Sequence, residues 1–120
     1  MKVAVSSQGQ NLDSPVDPRF GRARYFVVVE TDTGEFSTHD NTRNVETVQG
    51  AGIQAGRAVV ELGARAVLTG HVGPKAFAAL RAAGLEVFTG VSGTVGEAVE
   101  RYKAGQLQAA AGPNVEGHWT

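Results

Sequence analysis

Arginines at positions 19 and 22 share the stretch Asp17-Pro18-Arg19-Phe20-Gly21-Arg22. A guanidinium is a planar fork of donors, always charged, and suits oxyanions and other multiply charged anions. Pro18 fixes its own φ and pushes Asp17 toward an extended conformation. Gly21 permits a left-handed or close-approach backbone. Phe20, between the arginines, offers an apolar plate. The stretch can therefore present charge and apolar contact to something negative and polarisable. A simpler reading is a turn whose arginines pair with Asp13 or Asp17.

Two further places could supply backbone donors to an anion. One is the small, glycine-rich run Gly50-Ala51-Gly52, at the start of a helical pattern. Glycine in a helix interior costs about 1 kcal/mol relative to alanine, so something should offset it: close packing on a sheet, or N–H groups left accessible at the helix N-terminus. The other is Gly70-His71-Val72-Gly73-Pro74-Lys75, where Pro74 suits a first helical position and Lys75 adds a point charge. His71 could donate a hydrogen bond or ligate metal, or be a solvated strand-end side chain. His39 reads as surface, and His118 and Trp119 lie in the tail with no role assigned.

These residues need a scaffold. The chain has 120 residues, 42% of them hydrophobic, which suits one domain. The expected division is a single domain over residues 1–105 and a C-terminal tail over 106–120. Net charge is −1, so no overall basic field recruits nucleic acid, and attraction for an anion must be local. No cysteine is present, which removes disulfides, thiolate nucleophiles and thiolate-held clusters. No apolar run reaches about 18 residues and no signal region opens the chain, so a cytoplasmic protein that does not engage membranes is expected.

Lys2–Ser6, Tyr25–Glu30 and Glu35–His39 read as strands, the last two joined by the hairpin turn Thr31-Asp32-Thr33-Gly34. A helix is predicted from about Thr47 to Leu62, with Ala51, Ala55, Ala58, Val59 and Leu62 on one face. A strand over Ala64–Thr69, a helix from Pro74 to Gly84, a strand over Leu85–Phe88 and a capping-box helix from Thr94 to near Gly105 follow. An antiparallel pair after the first strand, then two crossovers, predicts an α/β fold. Its five-stranded mixed sheet has the order 3-2-1-4-5 with strand 2 antiparallel, the ribonuclease H-like arrangement. Ligands of open α/β sheets sit beyond the carboxyl ends of the strands. Those ends are Ser6 to Gly9, Thr69 to Gly73 and Thr89 to Gly90.

Strand-end Ser6-Ser7, the Asp17–Arg22 loop, Gln49-Gly50-Ala51-Gly52 and Thr69-Gly70-His71-Val72-Gly73-Pro74-Lys75-Ala76 together resemble the dinitrogenase iron–molybdenum cofactor biosynthesis family, which includes the NifX-type proteins. The likeness runs from Met1 to about Tyr102. It implies a ribonuclease H-like fold and binding or carriage of metal–sulfide clusters or their precursors. The orange-protein branch holds a molybdenum–copper sulfide cluster non-covalently, and the absence of cysteine fits that branch. The resemblance therefore implies a non-enzymatic carrier of a molybdenum-containing sulfide cluster, of the Mo–Cu or Fe–Mo type. The implied contacts are Ser7, Arg19, Phe20, Arg22, Gly50, Gly52, Gly70, His71, Gly73 and Lys75, with no direct metal ligand. Expected partners are the cluster and a MinD-type ATPase or cluster-assembly protein. The expected state is a monomer or weak dimer.

Three rivals remain open from sequence. A metal-dependent nuclease needs convergent carboxylates, and the first strand carries none. An organic phosphate or nucleotide binder could use the same rim, although neither GxxxxGK[ST] nor a strand-linked GxGxxG occurs. An adaptor docking to a partner ATPase or cluster enzyme needs no small ligand.

Overall fold

A computed structural model describes residues 1–42 and 50–113. Five strands form one sheet: β1 (Lys2–Ser7), β2 (Tyr25–Glu30), β3 (Phe36–Asp40), β4 (Ala66–Leu68) and β5 (Glu86–Phe88). Their order is β3-β2-β1-β4-β5. β2 runs antiparallel to both β1 and β3, while β1, β4 and β5 are parallel. The predicted order and directions are those observed. Val3, Ala4 and Val5 pair with Ala66, Val67 and Leu68, which fixes the register of the central strands.

Strand side chains alternate between the two faces, and each face has its own helical cover. Ala4, Phe26, Val28, Val67 and Val87 face one core with Ala55 and Val59 of α1 (Ala51–Glu61) and Ala76 and Leu80 of α2 (Pro74–Ala82). Val3, Val5, Val27, Val29 and Leu68 face the other, under Val95, Ala98 and Val99 of α3 (Val95–Lys103). Burying such a side chain contributes about 1.5–3 kcal/mol, so each face pins its helix through several contacts. Gly56 of α1 lies beside Leu80 of α2, whose nearest carbon would be 3.8 Å from an added Cβ, an ordinary contact distance.

Among described residues α1 begins at Ala51, after Gly50 in the left-handed conformation at φ 79°. The start expected at Thr47 lies outside the described residues, as do His118 and Trp119. β4 is shorter than the predicted Ala64–Thr69: the Ala64 amide donates to Val59 at the end of α1 and the Arg65 amide to Lys2. No helix among the described residues is long and apolar enough to cross a membrane.

The segment after Gly105, expected as a tail, is docked in its first part. Leu107 packs partly against the second core, Ala109 bridges Phe88, and the Ala110 amide donates to the Val87 carbonyl at 2.7 Å. This covers the outer edge of β5, a row of groups that would otherwise stand open to another chain. Truncation after Gly105 should therefore cost about 1–2 kcal/mol and lower the melting temperature by several degrees. An unchanged thermal melt would show that this cover contributes nothing.

Candidate functional site

β1, β4 and β5 end on the same side of the sheet, so residues following Ser7, Leu68 and Phe88 form one rim. The rim is laced by backbone. Thr69 donates to Phe88, Gly90 to Gly70 at 2.9 Å, and Val91 to Thr69. The hydroxyls of Ser6 and Thr69 sit 2.7 Å apart in full burial, and Ser6 Oγ also donates to the Asp17 carbonyl. Neither Ser6 nor Thr69 was singled out in the sequence as a site residue, because a buried hydroxyl pair between distant strands leaves no local pattern.

The Asp17–Arg22 loop is fastened to this rim as a short extra strand. The His71 amide donates to Pro18 at 2.6 Å and the Phe20 amide to His71 at 3.1 Å, making Arg19 and His71 a parallel bridge. Extended backbone sends successive side chains to opposite sides. Arg19 and His71 accordingly point outward and are exposed, while Phe20 and Val72 point inward and are wholly buried in the same core. Phe20 stacks on Phe26 with centroids 5.2 Å apart. This corrects the reading of Phe20 as an apolar plate for a ligand: it is the hydrophobic anchor of the loop. At the far end Asn41 Nδ2 donates to the Ala23 carbonyl at 2.7 Å, closing the loop against β3.

Two more expected contacts are corrected. Ser7 is fully buried, and its hydroxyl lies 2.7 Å from the Gly9 carbonyl and 3.2 Å from the Gly9 amide, closing a local turn. Gly70 has no open space above it: an added Cβ would lie 2.7 Å from Pro18 Cα and 2.8 Å from Pro18 O. Glycine is needed there because the loop crosses the strand exit at that point.

Arg22 is half-buried, and Lys75 is exposed in the first turn of α2. Gly73 caps α2 in an extended conformation at φ −85°. Gly50 and Gly52 lie at the start of α1, with Gly52 buried, and no hydrogen bond among the described residues ties them to the loop. The described contacts thus join Arg19, Gly70 and His71 into one unit, with Gly73 and Lys75 following directly in the chain.

The helix starts differ in what they offer. In α3 the first N–H groups are consumed: Val95 donates to Ser14, Gly96 to Leu12, and Glu97 to the Thr94 hydroxyl. The Glu97 carboxylate completes the capping box on the Thr94 amide, and that hydrogen bond holds its pKa below the usual value. Neither α1 nor α2 has a side-chain cap. Their first-turn donors and positive dipole ends are the ones suited to an external anion.

A concavity of about 770 Å³ lies at the sealed helix start instead, lined by Leu12, Asp13, Gly93, Glu97, Glu100 and Arg101 among others. Three carboxylates face one guanidinium there, and Arg101 Nη2 already donates to the Ser92 carbonyl. Its size does not make it an anion site; the charge on its walls has the wrong sign. Among the described residues no group of three or more His, Asp or Glu is arranged to hold a metal ion.

The close approach at Gly70 can be tested directly. Gly70→Ala should push the loop off the strand exit, cost roughly 1–3 kcal/mol, and speed hydrogen exchange at the Phe20 and His71 amides. Retained protection of both amides in the variant would show that the loop does not depend on this contact.

The chain matches the family model for dinitrogenase iron–molybdenum cofactor over residues 1–105. It is similar to the apo form of the orange protein from Desulfovibrio gigas, with 47% identity, a TM-score of 0.93, and coverage of 95% of this chain and 96% of that one. It is also similar to a putative NifB protein from Thermotoga, with 34% identity, a TM-score of 0.83, and coverage of 97% and 98%. An uncharacterised protein of Methanocaldococcus jannaschii is 24% identical over 110 residues, which is 90% of each chain.

Proposed function

Because the chain belongs to the dinitrogenase iron–molybdenum cofactor family, we propose that it binds and carries, without covalent bonds, an anionic molybdenum-containing sulfide cluster or a precursor of one. The observation that carries this reading is the bridge between Arg19 and His71, which makes the two exposed residues neighbours on the outer side of the rim. A thiometallate is large, soft and multiply negative. A chain without thiols can hold it by guanidinium charge from Arg19 and Arg22, by Lys75, and by the uncapped first turn of α2. His71 supplies a hydrogen bond or a neutral nitrogen beside the same place. Phe20, Ser7 and the Cα of Gly70 take no part, since each is occupied by the fold.

On this reading the protein is a carrier and not an enzyme. The two carboxylates of the long loop do not converge. Asp13 is exposed, beside Leu12 and Gly93, whereas Asp17 is buried under Arg19. Cargo delivery needs only reversible binding.

Tetrathiomolybdate is a suitable probe. Replacing both Arg19 and Arg22 by Ala should weaken its binding strongly while the protein stays folded, because each desolvated charge-assisted contact contributes roughly 1.5–3 kcal/mol. Wild-type binding should also decline as salt is raised, as expected for attraction between charges. Unchanged affinity of a folded double variant, measured by absorption titration, would remove the loop from the site and with it this reading.

A further inference from the structure

We propose that Asp17 is a positioning residue that aims the Arg19 guanidinium at the anion; the assignment rests on the reading that Arg19 contacts the cargo. Asp17 is only 3% exposed, yet it carries a carboxylate at the edge of a rim argued to attract negative charge. A buried carboxylate is costly unless it is paired and hydrogen-bonded, and this one also repels an incoming anion. Two such unfavourable contributions call for an offset.

The local geometry supplies one. The Asp17 backbone cannot drift: its amide donates to the Ser6 carbonyl at 2.8 Å and its carbonyl accepts from Ser6 Oγ at 2.7 Å. Asp17 Oδ1 then accepts the Arg19 amide at 2.9 Å and lies 3.7 Å from Arg19 Nε. A fixed carboxylate therefore stands within ion-pair range, though beyond hydrogen-bond distance, of the inner nitrogen of a side chain that is about half exposed. Among the described residues no other carboxylate pairs with that guanidinium. Neither of the two terminal nitrogens, which carry the forked donors, pairs with a carboxylate among the described residues, and Arg19 is exposed on the side it shares with His71. Holding the fork in one orientation before binding reduces the ordering cost at binding. A turn cap alone would not need the charge, because the amide oxygen of an asparagine accepts the Arg19 N–H equally well.

Charge and positioning predict opposite signs, which makes the assignment testable by tetrathiomolybdate titration alongside thermal melts. If Asp17 were only a nearby negative charge, Asp17→Asn would tighten binding. If it aims Arg19, Asp17→Asn should weaken binding by roughly threefold to tenfold. The loss should vanish or reverse in an Arg19→Ala background. Asp17→Ser also removes the charge and keeps an oxygen for the Arg19 N–H, and should lose about as much as Asp17→Asn. It carries the test if the asparagine variant does not fold. Wild-type or tighter binding by either folded variant would overturn the assignment. If Arg19→Ala binds normally, the rim reading fails and this one with it. If Arg19→Ala binds weakly and Asp17→Asn does not, only the role of Asp17 fails.

Discussion

The backbone bridge between Arg19 and His71 is the constraint on which the rim depends. It converts part of a loop rich in turn residues into a short strand, and strand geometry then decides which side chains face out. Arg19 and His71 go to solvent, and Phe20 and Val72 go to the core, by the same alternation that sorts the sheet. The anchor and the charge are thus coupled. Burying Phe20 contributes about 1.5–3 kcal/mol, and the same contact keeps Arg19 turned outward.

That bridge is possible because two elements meet at less than ordinary distance. Pro18 sits so close to Gly70 that no other residue fits without movement. The strand exits beneath are tied to each other through Thr69, Gly70 and Gly90, and to the loop through Ser6. Rim, loop and sheet are therefore joined by one set of hydrogen bonds. Such linkage suits the proposed site, whose donors should be in place before binding.

Charge is distributed to match. A chain with a net charge of −1 has no general attraction for anions. The carboxylates Asp13, Glu97 and Glu100 gather around the start of α3, where the helix has already consumed its own donors. The arginine loop and the uncapped start of α2 lie on the rim instead. Asp17 is the exception, a negative group beside the positive one, and its burial under Arg19 makes sense as an orienting contact.

The sequence by itself determined the sheet. Short apolar runs bounded by turn residues, helices with apolar faces, and glycines at their ends sufficed for five strands in the order 3-2-1-4-5, because these are local signals repeated over many residues. It also brought the Asp17–Arg22 loop and the strand exit at His71 to notice, through residue types that carry chemistry. Direction was not legible. Whether Phe20 faced a ligand or the core, and whether Gly70 made room for a cluster or for Pro18, depended on a contact between residues some fifty positions apart. Only the tertiary structure decided those questions. A side chain's facing is set by the backbone partner its segment finds, and no local pattern names that partner.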